Sequence, residues 1–66
     1  MAITEDQFNV VSELLTDALN SPRLSEWERG FATDFNGRLH ERQLRMLISA
    51  RQWDVLERLK EKVYAT

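Results

Sequence analysis

The chain has 66 residues and a mass of 7.8 kDa, which is enough for one domain, residues 1–66, and no more. Hydrophobic residues make up 42% and charged residues 30% of the sequence, a globular composition that excludes a disordered tail. Cysteine is absent, which excludes disulfides, thiolate metal sites, iron–sulfur clusters and cysteine nucleophiles.

The first predicted helix covers about residues 5–19. Thr4 and Gln7 have the spacing of a capping box, in which each side chain bonds the backbone N–H of the other residue. Apolar residues then recur at helical spacing within an arc of about 140°. They are Phe8, Val11, Leu14, Leu15, Ala18 and Leu19. Pro22 follows, and it ends the helix because proline disfavours α geometry in the residue before it.

The second predicted helix covers about residues 26–40 and begins with a capping box of Ser25 and Glu28. Two glycines lie inside it, and each costs about 1 kcal/mol relative to alanine. An unbroken helix would bring Arg42 onto the apolar side, so we expect a break or bend between Gly37 and Arg42. The apolar stripe itself repeats every four residues and consists of Trp27, Phe31, Phe35 and Leu39.

The third predicted helix covers about residues 50–64 and begins with a capping box of Ser49 and Gln52. Asp54 and Arg58 lie four residues apart in the acid-before-base order that favours an ion pair on a solvated face. The inner face consists of Trp53, Leu56, Leu59 and Val63. Before this helix, the spacing fits either a short extra helical turn or a buried connector over Leu44, Met46, Leu47 and Ile48.

Three capping boxes, each followed by an amphipathic run, predict an all-α fold: a compact bundle of three main helices. Below about 70–80 residues a single core rarely yields more than roughly 3–5 kcal/mol, and small domains often add disulfides, a metal or oligomerisation. Cysteine is absent and metal ligands are few, so either the helix packing is very efficient or the chain completes its core against a partner. We expect the second, in the form of a homo-oligomer. The residues expected to be buried are Leu15, Phe31, Phe35, Leu56 and Leu59.

Patterns for catalysis and metal binding are weak. His40 is the only histidine, and on a helix its side chain and that of Glu41 point about 100° apart, which does not favour a shared ion. No serine has a histidine at a recognisable spacing, and no glycine-rich phosphate loop is present. We therefore expect no enzymatic activity, no catalytic residues and no cofactor.

The charge is uneven along the chain. Residues 1–34 contain two basic and seven acidic residues, whereas residues 35–66 contain seven basic and four acidic residues. The basic second half permits direct DNA or RNA binding, with Arg45, Arg51 and Arg58 as candidate phosphate contacts. A pI of about 5.3 argues against a free-standing nucleic-acid binder.

The aromatic residues indicate a different kind of surface. Two indoles and two phenyl rings on two short helices are a large apolar area for so small an interior, and protein interfaces use aromatic anchors. A stripe at helical spacing is most often simply core. We retain Trp27 and Trp53 as candidate partner-binding residues beside Arg45, Arg51 and Arg58.

The second half combines the segment Trp27-Glu28-x-x-Phe31 with the segment Leu47-x-Ser49-x-x-Gln52-x-x-x-Leu56. This pattern, over about residues 24–64, resembles a short helical module of bacteriophage and prophage-associated proteins, sometimes appended to chains of DNA metabolism. In that module leucine usually runs directly into serine, whereas here Ile48 stands between them. The resemblance implies a phage or mobile-element setting and a non-catalytic role near nucleic acid or a host protein.

The leading functional hypothesis is a non-catalytic accessory protein that binds a protein partner. The alternatives are a direct DNA- or RNA-binding module and a structural homo-oligomerisation unit. No apolar run approaches the roughly 18 residues that span a bilayer, and the first residues lack the basic and apolar segments of a secretory signal. We therefore expect a cytoplasmic protein that does not bind membranes.

Overall fold

A computed structural model describes residues 2–64 of the chain. It contains three α-helices, α1 (Glu5–Leu19), α2 (Glu26–Arg42) and α3 (Ala50–Tyr64), with a short 3₁₀ turn (Gln43–Arg45) between α2 and α3. These elements form an all-α bundle with extents of 30 × 20 × 19 Å. The predicted three-helix fold is confirmed, and the predicted bounds of the first and third helices match those observed.

The helix starts follow from the local sequence. All three predicted capping boxes are present, and in each one both reciprocal hydrogen bonds measure 2.9–3.2 Å. These bonds satisfy backbone N–H groups that a helix N-terminus otherwise leaves without a partner. The pairs are Thr4 with Gln7, Ser25 with Glu28, and Ser49 with Gln52.

Helix α1 is the central element of the bundle, because it packs against both α2 and α3. The residues of its inner face are buried as their spacing predicts: Val11, Leu14, Leu15 and Ala18. Four of the five residues expected in the core are buried, namely Leu15, Phe35, Leu56 and Leu59. The fifth, Phe31, is only half-buried, so that expectation is wrong.

The position of Phe31 follows from the geometry of its stripe. A helix turns about 100° per residue, so each four-residue step moves a side chain about 40° around the axis. Leu39 is fully buried and Phe35 is 2% exposed, whereas Trp27, three steps from Leu39, is 65% exposed. The stripe therefore turns from the core at Leu39 to the surface at Trp27, and Phe31 lies at the margin between them.

The end of α2 differs from the expectation of a break between Gly37 and Arg42. The helix continues through Gly37, whose added Cβ would meet nothing within 4 Å, and ends at Arg42. Arg42 does not have to enter the core because it occupies the last position of the helix, where it is exposed. The chain turns at Gln43, which adopts φ 51° and ψ −127° and donates its backbone N–H to the carbonyl of Leu39.

The connector before α3 contains both predicted alternatives in sequence: a 3₁₀ turn and then an extended, partly buried segment. Met46 is buried, while Leu44 and Leu47 are 45% and 62% exposed. The backbone N–H of Ile3 donates to the carbonyl of Met46 at 3.3 Å, and Ala2 forms an isolated antiparallel bridge with Leu47. The residues before α1 thereby hold the connector against the bundle.

Candidate functional site

The five residues predicted to bind a partner lie in three different places. Trp27 is on the first turn of α2 and Arg45 is in the 3₁₀ turn, at opposite ends of α2. The other three are on α3, where Arg51 and Arg58 are exposed and Trp53 is half-buried. The sequence placed these residues in one candidate set, and the fold separates them.

Trp27 forms the exposed end of an aromatic ladder. Its ring stacks on Phe31 with centroids 5.8 Å apart and an interplanar angle of 15°, and Phe31 stacks on Phe35 at 5.4 Å and 25°. Because Phe35 is 2% exposed, the ladder runs from the core to the surface. Stacking of this kind is worth about 0.5–1.5 kcal/mol, so it favours the orientation in which the indole lies against Phe31.

An ion pair joins the start of α2 to the end of α3. Lys62 Nζ donates to Oε1 of Glu28 at 2.6 Å, and the same oxygen accepts the backbone N–H of Ser25 at 2.9 Å. These bonds, that from Lys62 above all, lower the pKa of Glu28 from its usual 4.5 to about 2. Glu28 therefore caps α2 and ties α3 to it with one carboxylate.

This ion pair brings the last turn of α3 to the first turn of α2, which carries the exposed end of the aromatic ladder. Phe31 lies three residues after Glu28 and so shares its side of α2. On α3, steps of three and four residues lead back from Lys62 along a single side of the helix, through Arg58, Val55 and Arg51. Arg58 is about 6 Å and Arg51 about 16 Å from Lys62 along α3, so the stripe leads away from Trp27 toward the start of α3. We call this elongated surface the α2–α3 face and define it by Trp27, Phe31, Arg51, Val55 and Arg58.

Arginine side chains on the α2–α3 face are not neutralised by ion pairs within residues 2–64. The pair expected between Asp54 and Arg58 is not formed; the ion pairs of the described residues are Arg38 with Asp34, and Lys62 with Glu28. Arg51 and Arg58 are exposed beside the half-buried Val55. The face therefore combines an aromatic anchor with two guanidinium groups that can donate hydrogen bonds to carboxylates.

Trp53 lies on the opposite side of α3, toward α1. It lines a small apolar cleft of about 240 Å³ together with Asp6, Gln7, Val10 and Val11. Val10 is 60% exposed, which agrees with its position outside the inner arc of α1. Trp53 and Trp27 therefore belong to different surfaces.

Arg45 belongs to the corner where α2 ends. A shallow cleft there has about 380 Å³ of space and is lined by residues 41–45, including Gln43 and the half-exposed Leu44. The corner is separated from Trp27 by the length of α2, which at 1.5 Å per residue is about 24 Å. Arg45 therefore does not share a binding surface with Trp27.

Two further contacts close the far end of the bundle, and neither is visible in the sequence. Tyr64 donates its hydroxyl to Oδ2 of Asp17 at 2.6 Å, which raises the pKa of Tyr64 to about 12. Arg29 donates to the carbonyls of Leu19 at 3.2 Å and Ser21 at 2.7 Å, at the end of α1. These side chains hold the three helix ends together.

Within residues 2–64, no three or more histidine, aspartate or glutamate side chains lie close enough together to hold a metal ion. In the same part of the chain, no helix has the length and apolar character required to cross a bilayer. Searches against protein families, curated proteins and solved structures give no significant match. The resemblance to the phage and prophage module accordingly stays a prediction.

Proposed function

We propose that the chain is a non-catalytic, phage-type accessory protein that acts in the cytoplasm by binding a protein partner through the α2–α3 face. The observation that carries this proposal is the exposure of Trp27. Its indole is 65% exposed although it stacks on a ladder that leads into the core.

The chemistry of the face supports a protein partner. Tryptophan and arginine are the residues most enriched at interface hot spots, where a rigid aromatic anchor is surrounded by polar groups. Trp27 is restrained by stacking, so little side-chain entropy would be lost when a partner covers it. Arg51 and Arg58 extend this surface along α3, and they favour a partner that carries carboxylates at its contact surface.

A second candidate function is nucleic-acid binding, and one observation favours it. Arg51, Arg58 and Lys62 lie on a single stripe of α3, where cations can follow a phosphate backbone. Two features favour the protein partner instead. The net charge is −2, and Lys62 is already paired with Glu28.

The experiment compares the intact chain with two surface variants. The chain serves as bait in extract from its source cells, the bound protein is purified, and its affinity is measured by calorimetry. Trp27→Ala should weaken binding at least tenfold, which corresponds to about 1.4 kcal/mol. The matched control is Leu47→Ala, which removes a side chain of similar exposure from the connector and should leave the affinity unchanged. Equal affinities for the intact chain and Trp27→Ala would contradict the proposal.

A further inference from the structure

We infer that the α2–α3 face accepts helix α1 of a second copy of this chain, with α1 running parallel to α3. The inference rests on the proposed function, because it assigns an occupant to the same face. It follows from a match between two helical stripes that carry opposite charges at identical spacing.

The two stripes have the same intervals of four, three and four residues. On α3 the stripe is basic with a valine at its second position, and it consists of Arg51, Val55, Arg58 and Lys62. On α1 the stripe is acidic with a valine at its second position, and it consists of Asp6, Val10, Glu13 and Asp17. Each charged position of one stripe has the opposite charge in the other.

The spacing fixes the direction of the contact. Charged residues seven positions apart are separated by about 10.5 Å along either helix, because each residue rises 1.5 Å. A parallel arrangement aligns Asp6 with Arg51, Val10 with Val55 and Glu13 with Arg58. An antiparallel arrangement would set both valines against charged residues, which buries charge against an apolar group. The parallel register is therefore the one in which every position is complementary.

The residues that would form the contact are available. Asp6, Glu13, Arg51 and Arg58 are exposed, and none forms an ion pair within the described part of the chain. The charged groups at the fourth positions already have partners within one copy. Asp17 accepts a hydrogen bond from Tyr64, and Lys62 forms an ion pair with Glu28. The contact accordingly depends on the first three positions of each stripe.

A second copy is required because the two stripes do not meet within one chain. In one copy, α1 faces the side of α3 that carries Trp53, which lines a cleft with Val10. The helical period places Arg51, Val55 and Arg58 on the other side of α3, the side on which Lys62 bonds to Glu28. Each copy thus offers an acidic stripe on one side and a basic face on another, so the contact is head-to-tail. Further copies can add to it, and the size of the assembly depends on concentration.

Charge supplies the register, and the apolar centre supplies much of the attraction. Exposed ion pairs contribute about 0–1 kcal/mol each and weaken in salt. Val10 is 60% exposed and Trp27 is 65% exposed, so both lose contact with water when α1 of one copy lies on the face of another. The resulting association is weak and sensitive to ionic strength.

The experiment is analytical ultracentrifugation of the full chain over a range of concentrations at low salt. The weight-average mass should rise above 7.8 kDa with concentration. It should fall at about 1 M salt, where charges are screened within about 3 Å and only the apolar part of the contact remains. Two charge-reversal variants, D6R/E13R and R51E/R58E, should each remain monomeric, because each then opposes like charges. The control R42E/R45E changes the charge equally at the α2 corner and should associate as the intact chain does.

Mixing provides the decisive readout. In an equimolar mixture of D6R/E13R and R51E/R58E, every contact between unlike copies is complementary, so association should return to the level of the intact chain. Circular dichroism of each variant verifies that the helices are intact, and the quadruple variant D6R/E13R/R51E/R58E should associate by itself.

Two results would overturn the inference: an intact chain that stays monomeric at every concentration, or a mixture that associates no more than its separate components. Neither result decides the proposed function. If the chain is monomeric but Trp27→Ala still abolishes binding to another protein, the α2–α3 face binds that protein and not a second copy of the chain. If Trp27→Ala binds that protein unchanged, the proposed function fails as well.

Discussion

Lys62 Nζ lies 2.6 Å from Oε1 of Glu28, so the last turn of α3 is bonded to the first turn of α2. The two residues are 34 positions apart in the sequence. The same carboxylate oxygen completes the capping box of Ser25. This single carboxylate therefore both caps α2 and bonds the last turn of α3 to it, at one end of the α2–α3 face.

The Glu28 contact predicts a specific acid sensitivity. The pKa of Glu28 is lowered to about 2 in the folded chain, and its usual value is 4.5. A group whose pKa is lower in the folded state contributes stability above its unfolded pKa and loses it as the pH falls through the folded value. The stabilisation from Glu28 should therefore be complete above about pH 5 and decline between pH 4.5 and 2.

Thermal melts from neutral pH to pH 2 test this prediction. Glu28→Gln keeps a side-chain oxygen for the cap but removes the charge, so part of the acid-induced loss should disappear. Glu26→Gln, at an exposed position in the same helical turn, should retain it. Identical pH profiles for the intact chain and Glu28→Gln would show that this ion pair contributes nothing to folding.

The core predicts a large effect at Leu56, which is 2% exposed. Leu56→Ala removes buried methyl groups and leaves a cavity, at a cost of roughly 2–5 kcal/mol. A domain of this size has little stability in reserve, so most molecules should unfold. The control is Leu47→Ala at a 62% exposed position, which should change the free energy of unfolding by less than about 0.5 kcal/mol. A melting temperature for Leu56→Ala within a few degrees of the intact chain would refute the packing of α3.

The turn after α2 predicts a stabilising substitution. Gln43 has φ 51°, and a residue with a side chain in such a strained conformation costs on the order of 1–3 kcal/mol. Gln43→Gly removes this strain, and the greater freedom of glycine in the unfolded chain offsets part of the gain. The net increase in the free energy of unfolding should be about 1 kcal/mol. Gln43→Ala keeps the strain and should give no such gain. Equal melting temperatures for the two variants would show that strain at residue 43 does not destabilise the fold.

The separation of the arginines predicts the outcome of a nucleic-acid titration. The intact chain should not shift a random DNA duplex at micromolar concentration in physiological salt, because the net charge is −2 and the cations lie in two places. A salt-sensitive complex that is lost on replacing Arg45, Arg51 and Arg58 by alanine would favour the nucleic-acid function. In that case the slope of log K against log salt should decrease by up to about three.

Local chemistry explains why the helices could be predicted from the sequence. Thr4, Ser25 and Ser49 each precede a partner at the third helical position, and such a cap involves neighbouring residues only. The C-terminus of α2 was less accessible to prediction, because Gln43 carries no glycine or asparagine signal for a positive φ. That conformation follows from the packing of Leu39 and Met46, both of which are buried.

The site depends on tertiary contacts that no local pattern encodes. The spacing in the sequence did not distinguish Trp27 from Trp53 as a candidate partner-binding residue. They separate because the burial of Leu56 and Leu59 fixes which side of α3 faces the bundle. Trp53 lies on the flank toward α1, whereas Trp27 lies on the first turn of α2.

The fluorescence of Trp27 reports directly whether a bound protein covers the α2–α3 face. In a Trp53→Phe chain, Trp27 is the only remaining tryptophan, and the solvent around its indole sets the emission wavelength. Titration with the purified protein partner, or with a tryptophan-free second copy, should shift the emission to shorter wavelengths as the α2–α3 face is covered. Calorimetry or sedimentation verifies that the complex has formed. If the emission then keeps its solvent-exposed wavelength, the α2–α3 face is not the contact surface.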